Sequence, residues 1–411
     1  MEQTQSNGFN GYQKGVIALL ALTQFTVLLG FMIMSPMGDM LMKSIQLTPA
    51  QFGSVVSAYA FSAGISGLIT AGFADRFDRK KLLLFFYAGF IIGTFSCGFA
   101  NNYSALIVAR IITGLFGGVI GSISLAIVTD LFALHKRGRV MGLIQMGIGA
   151  SQVLGIPVGL YLGNKSGWQS AFIALAILAT SIALLVAFRL KPLTAHLQFQ
   201  QKESILKRLW TTFSNRTYLI AYAAAATMAV GGYLIMPFGS VYAVNNLGVD
   251  PDQLPFLFLF AGISSLVVMP LVGKISDQVD KFKLFTVAIL WMVVMVLIYT
   301  QLPPLAFGWV VALNILMQMG ILSRSTPASA LISAIPTVKD RGAFMSLNAA
   351  IQQIAGGIAA WAAGLLVVQK SVEAPLEQYD YIGYVTAGIS LLGLGLMYRV
   401  NQVVKNQKRD S

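Results

Sequence analysis

The sequence predicts an all-α polytopic membrane protein, with twelve transmembrane helices arranged as two six-helix bundles. Three observations carry that prediction. Apolar residues make up 56% of the 411-residue chain and charged residues only 10%, and the mean hydropathy is +0.73. A soluble domain carries about a quarter of its residues as charges. Apolar runs of about 20 residues, long enough to cross hydrocarbon, recur twelve times between short polar turns. The runs also fall into two related sets of six, because the charged elbow Asp75-Arg76-Phe77-Asp78-Arg79-Lys80-Lys81 has a weaker copy in Asp277-Gln278-Val279-Asp280-Lys281-Phe282-Lys283.

Taken in order, the first helix is expected at 15–38, after a polar stretch from Met1 to Lys14 that has neither the short apolar core nor the cleavage site of a signal peptide. Helix 2 (51–73) follows Thr48-Pro49-Ala50-Gln51, an N-cap with proline at the first helical position, where its missing N–H costs nothing. The charged elbow then forces an aqueous turn, since one ionised side chain in hydrocarbon costs about 2.5 kcal/mol or more, and helices 3 (82–100) and 4 (104–129) come next. Arg137-Gly138 precedes helix 5 (140–162), and helix 6 (168–188) closes the first bundle, residues 1–188. The linker 189–216 holds six basic groups and one acidic one. Within it Ile205, Leu206, Leu209, Trp210 and Phe213 share a helical face opposite Lys202, Lys207 and Arg208, the pattern of a short helix lying in the membrane interface.

The second bundle, 217–411, repeats these landmarks. Helix 7 (217–243) carries Gly232-Tyr233-Leu234-Ile235 before Pro237, as helix 1 carries Gly30-Phe31-Met32-Ile33 before Pro36. Asp250-Pro251-Asp252-Gln253 opens helix 8 (254–275), the second elbow precedes helix 9 (283–301), and helix 10 follows at 306–331. Arg341-Gly342 opens helix 11 (343–368), and helix 12 runs over 381–399.

Charge sets the orientation. On this topology 23 of the 28 lysines and arginines fall on one side, with Lys43, Lys165 and Lys370 opposite and Arg110 and Arg324 inside spans. That bias is the positive-inside rule, so both termini are expected in the cytoplasm and the protein in the cell (inner) membrane. The net charge of +13 therefore reflects topology, and no nucleic-acid partner is expected. A single cysteine, Cys97, and two histidines, His135 and His196, leave no material for a disulfide, a metal site or an enzyme's active centre. The expected partners are the lipid bilayer and a small-molecule substrate, with the chain as a monomer.

The six-helix repeat, the basic turns after helices 2 and 8 and the long central loop together resemble the major facilitator superfamily over essentially the whole chain. Within it, the sequence is similar to the twelve-helix drug:proton antiporters and sugar-efflux proteins. Asp75, Arg76, Arg79 and Lys80 match that family's signature between helices 2 and 3, with Ala71 and Asp78 in place of its glycines. Arg110 followed by Gly114 is similar to the helix 4 signature, and Gly147, Gly155, Pro157 and Gly159 approximate the antiporter signature of helix 5. Where many drug antiporters carry an acidic residue in helix 1, this chain has Phe31, Met32 and Met34.

The resemblance implies a transporter, with no cofactor and the proton as the coupling ion. Arg110, inside helix 4, must face a cavity or a partner; with Asp39, the carboxylate nearest helix 1, it forms the candidate proton-coupling pair. Asp75 is expected to latch against the start of helix 11 near Gly342, with Arg76, Arg79 and Lys80 pairing with Asp130, and with Asp277 repeating the acid in the second half. The family's cavity helices nominate Gln24, Phe31, Met32, Met34, Thr113, Gln145, Gln152, Tyr222, Tyr233, Met236, Asn314, Gln318, Asn348, Gln352, Gln353 and Trp361 as substrate-facing. The same amides serve equally as hydrogen bonds between helices. Arg324 is expected to snorkel to the interface. The resulting expectation is proton-coupled efflux of a small organic solute or drug; the alternatives are a proton-independent facilitator or transporter of sugars or nucleosides, and a receptor that binds without transporting.

Overall fold

The computed structural model describes residues 9–71, 73–194, 197, 205–337 and 340–409. Twelve of its helices are long and apolar enough to cross a membrane: α1 Gly11–Met32, α2 Pro49–Thr70, α3 Arg79–Gly98, α4 Tyr103–Leu131, α5 Leu134–Ser166, α6 Trp168–Arg189, α7 Arg216–Asn245, α8 Pro251–Gln278, α9 Lys281–Tyr299, α10 Phe307–Ser333, α11 Arg341–Leu366 and α12 Tyr379–Gln407. The described residues hold no strand beyond one isolated bridge, Val368 with Glu377.

Most spans begin on a side chain that satisfies otherwise unpaired N–H groups. Asn10 and Gln13 form a reciprocal capping box at α1, and Asn102 caps α4. The repeated landmarks turn out to be caps too. Thr48 with Gln51 and Asp250 with Gln253 make matching boxes before α2 and α8. Asp78 accepts from Lys80 N at 2.8 Å and Asp280 from Lys283 N at 2.9 Å, so the second acid of each elbow starts the third helix of its half. Arg137 and Arg341 differ: Arg137 donates to the Thr129 and Phe132 carbonyls at the end of α4, whereas Arg341 is exposed.

Prolines place the interruptions. A proline offers no N–H to the carbonyl four residues earlier and crowds it. The continuous part of α1 ends at Met32, four before Pro36, and the chain restarts as a short helix, Gly38–Ser44. The regular part of α7 ends at Tyr233, four before Pro237, and restarts at Gly239. In α10 the break falls at Ser323, four before Pro327, with Arg324 in the gap. Val153, four before Pro157, lies in a π-helical turn, Ser151–Gly155, that absorbs the misfit within α5. The straight runs expected at 15–38, 217–243 and 306–331 are therefore each two pieces. The last helix is longer than expected: it continues to Arg409, where Gln407 donates to the Ile335 carbonyl and Lys405 lies 3.9 Å from Asp280.

Within the first bundle α4 packs on α2 and α3, α1 on α5 and α6; within the second α7 packs on α11 and α12, and α10 on α8 and α9. Glycines admit the closest of these approaches: a Cβ on Gly118 of α4 would stand 2.6 Å from Ala63 Cα of α2, and one on Gly320 of α10 2.8 Å from Met292 Cα of α9. Outward faces stay apolar, as in the row Phe85, Ile92 and Phe99 along α3, all more than 60% exposed, which suits lipid contact. In the linker a helix forms at Ile205–Phe213 and packs on α11 and α7. Leu209 is buried there but Trp210 is 70% exposed, so the two do not share one docked face; Lys202 and the side chains of Ile205, Leu206, Lys207 and Arg208 lie outside the described residues.

Candidate functional site

The halves meet along α2 with α11 and α5 with α8. At mid-depth these seams frame a row of polar and aromatic groups. The row begins at Arg110, fully buried in α4, which donates from Nη1 to the Gly30 carbonyl at 2.9 Å. That carbonyl lies in the last turn before the α1 break, where helical partners run out. The guanidinium carbon stands 4.6 Å from the centroid of the Tyr59 ring, a desolvated cation–π contact. Tyr59 packs on Phe31 (5.0 Å between centroids), and Phe31 on Tyr233 of the other half (6.0 Å). Tyr233 ends the row by donating to Gln353 Oε1 at 2.9 Å. Beside it Ser265 of α8 donates to Gln152 Oε1 at 2.9 Å, and Gln152 Nε2 approaches the Met32 sulfur at 4.0 Å. Groups from both halves thus surround one locus that separation of the halves would divide.

The end away from the chain termini is closed. Lys43 Nζ lies 2.9 Å from Asp39 Oδ1; Asn245 Nδ2 donates to the same carboxylate at 3.0 Å, and Lys43 donates to Asn245 Oδ1 at 3.2 Å. Ser240 donates to the Ser35 carbonyl at 2.7 Å, and Phe52 packs edge-on to Phe238. Asn164 donates to the Pro251 carbonyl at 2.8 Å, holding α5 to α8. Apart from the Lys43–Asp39 pair, which lies within one short helix, each of these contacts joins the first half to the second. Toward the opposite end the pairs part: a Cβ on Gly138, Gly142, Gly273 or Gly342 would meet open space, and Gln145 and Met146 are exposed. A separate groove of about 460 Å³ runs between α1 and α5 with Lys14 among otherwise apolar residues, and none of its lining belongs to the polar row.

Several expected site residues sit elsewhere. Asp39 and Arg110 are not brought together; Asp39 is held by Lys43 and Asn245 instead. Arg79 pairs with Asp130 at 3.2 Å, while Lys80 donates to the Ala187 carbonyl and Arg76 and Asp277 are exposed. The Asp75 side chain lies outside what the structure describes. Met34 and Thr113 are core residues, Thr113 bonding its own helix at Ala109 O; Tyr222 stacks on Phe344, and Asn348 is buried with its Oδ1 unpartnered. Asn314 donates to the Tyr299 hydroxyl, a bond between α10 and α9. Trp361 lies with Ile358 and Leu365 on an exposed apolar face and does not line the centre. Gln145 is exposed near the open end, whereas Gln24, Met236, Gln318 and Gln352 are half-buried, Gln24 facing Gly121. Arg324 does not snorkel; it is 3% exposed and donates to the Met228 carbonyl of α7 at 3.0 Å. Tyr59 was missed, because a tyrosine in an apolar run carries no signal until its cation is known.

Comparison with known proteins adds the following. The family model described as Major Facilitator Superfamily matches residues 20–323 and again 234–410. The MFS-type transporter YbcL of Bacillus subtilis (strain 168) is 25% identical over 386 residues, covering 93% of this chain and 95% of its own. A probable sugar efflux transporter of Mannheimia succiniciproducens is 24% identical over 365 residues, 86% of each chain. Among solved structures, a bacterial homolog of the human lysosomal transporter Spinster superposes with a TM-score of 0.77 at 15% identity, over 96% of this chain and 98% of that one. A D-xylose-proton symporter gives 0.76 at 18% identity, over 94% and 98%.

Proposed function

The chain belongs to the major facilitator superfamily, whose fold is that of transporters, and on that premise we propose that it moves a small organic solute across the membrane by alternating access. The observation that carries the reading is the gate at one end, built from both halves, beside a polar-aromatic row that is also built from both. Rocking the halves apart at the gate would expose Phe31, Tyr59, Gln152, Tyr233 and Gln353 to the other side. The positive-inside bias puts the open end in the cytoplasm, so the gate shuts off the outside. Hydroxyl and amide groups with aromatic faces suit a solute that is polar at one end and apolar at another, and a relative of the same length is named for sugar efflux.

For the driving force we propose inward proton movement, with Asp39 as the coupling carboxylate acting at the gate. Opening must break the bonds that Asn245 makes to Asp39 and Lys43 and expose the carboxylate to the outer solution, where it can take up a proton, while Lys43 travels with it on the same short helix. Arg110 organises the centre, apart from this step. A second reading, an uncoupled facilitator, is favoured by one observation: every aspartate and glutamate of a described span stands at that span's end. Vesicles containing the purified protein decide between them. Efflux of a pentose, a nucleoside, a lipophilic cation and the carboxylates benzoate and glucuronate would be followed with a pH gradient and again after a protonophore. Coupled export stops when the gradient collapses and is lost in Asp39→Asn. Undiminished flux after collapse leaves the facilitator, and no flux of any solute in either condition counts against transport.

A further inference from the structure

We propose that Arg324 anchors a buried anion-binding site in the second half, and that its ligand is the carboxylate of the transported solute. The site lies at the junction within α10, between Ser323 and Ser325, where Arg324 keeps helical backbone angles (φ −73°, ψ −24°) and its side chain reaches the Met228 carbonyl of α7. Because α7 packs mainly on α11 and α12 and α10 on α8 and α9, Arg324 spans the space between two helices that are not each other's main neighbours. Its Nη2 donates to the Met228 carbonyl, but Nε and Nη1 have no acceptor among the described residues. A guanidinium carries five N–H donors, and leaving a buried one without a counter-charge costs several kcal/mol in general terms.

Two further features turn this orphan into a site. The glycines Gly231 and Gly232 leave α7 bare opposite the guanidinium. The position that a Cβ on Gly231 would occupy lies 3.5 Å from Nη1, 3.8 Å from Nη2 and 3.2 Å from Ser390 Oγ of α12. Ser390 Oγ is itself buried and has no partner among the described residues, as is the case for Thr386 Oγ1 one turn earlier. The two Nη groups thus face the same small space as a hydroxyl donor, the arrangement that receives two carboxylate oxygens end-on. No acid among the described residues of the second half stands there: Asp250, Asp252, Asp277, Asp280, Asp340, Glu373, Glu377 and Asp380 lie in loops or at helix ends. Arg110 is different, since the Tyr59 ring already covers its face.

The inference rests on the transport reading only for where the anion comes from; occupancy is an equilibrium property. The test uses the full chain in nanodiscs of phosphatidylcholine at constant ionic strength. The melting midpoint is measured with acetate, benzoate and glucuronate, each against its neutral amide. At least one carboxylate should raise the midpoint by a few degrees while its amide does not. Ser390→Ala should weaken that response about tenfold, the loss of one hydrogen bond to a charged group. Arg324→Lys should keep a weakened response and Arg324→Gln none. Should Arg324→Gln not fold, the Ser390→Ala and Arg324→Lys titrations carry the test. Carboxylates and amides acting alike, or a response that survives Arg324→Gln, would mean that water fills the space and the arginine is only a strut. A carboxylate response with no solute flux in vesicles keeps the site and removes the transport reading; flux without that response does the reverse.

Discussion

At the scale of single residues, Arg110 and Arg324, the arginines buried away from the span ends, have few bonds for their charge. Arg110 has one carbonyl and one ring, with Nε and Nη2 unpartnered among the described residues. Replacing a buried charge that has no counter-charge by an apolar side chain of similar volume removes its desolvation penalty. Arg110→Met should therefore leave the melting midpoint of the purified protein unchanged or higher while vesicle transport falls by at least tenfold. A large drop in midpoint with normal transport would make Arg110 a structural strut. Tyr59→Leu should act the other way on stability, because it removes a desolvated cation–π contact worth about 2 kcal/mol.

These roles were only partly legible from the sequence. An arginine in an apolar run announces itself, but its partner does not: Asp39 was the nearest carboxylate by sequence, and a lysine four residues on claimed it once the short helix Gly38–Ser44 formed. Arg324 was read as snorkelling because its depth was judged from an unbroken helix. Its inward direction needs no change of backbone angles, since Arg324 stays helical (φ −73°, ψ −24°), and what the sequence did not show is that this face meets the Met228 carbonyl of α7.

At the scale of elements, the proline rule accounts for most of the departures from straight spans. Pro36, Pro237 and Pro327 each end a regular stretch four residues upstream, and two of these ends abut the central row through Met32 and Tyr233. Pro36 and Pro237 were visible in the sequence as landmarks of the repeat; the effect of the three prolines on helix continuity was not drawn. Helix count and the elbow repeat were legible because hydrocarbon thickness and the cost of charge in lipid fix them. Which side of a helix faces its neighbours was not, since spans apolar on every face carry no amphipathic stripe. This is why Trp361 was placed in the centre and lies on an outer face. Glycine spacing gives a direct check at this scale. Gly118→Leu forces a side chain into Ala63 of α2 and should abolish the monodisperse folded species on size-exclusion chromatography. Gly142→Leu, with open space around it, should elute like the parent.

At the scale of the whole molecule, the asymmetry between a closed end and an open one is the feature that makes transport testable without knowing the solute. Asn164 and Asp252 face each other across the closed seam, with Asn164 Nδ2 3.2 Å from Asp252 Oδ1. In a Cys97→Ser background, Asn164→Cys with Asp252→Cys should react with a short bifunctional thiol reagent and lose transport. Either cysteine alone should keep it. Flux that persists after quantitative cross-linking would show that the seam never opens. The charge distribution has its own consequence at this scale. Away from the ends of the described spans, the buried fixed charges are two cations and no anion, and the cations stand at different depths, Arg110 early in α4 and Arg324 late in α10. A full elementary charge crossing the membrane exchanges about 2.3 kcal/mol with a potential of 100 mV. Any rocking that shifts these arginines through part of the field makes the empty carrier a voltage-sensitive device, and a bound anion at Arg324 would silence part of that sensitivity, so the resting potential itself would set the pace of the return stroke.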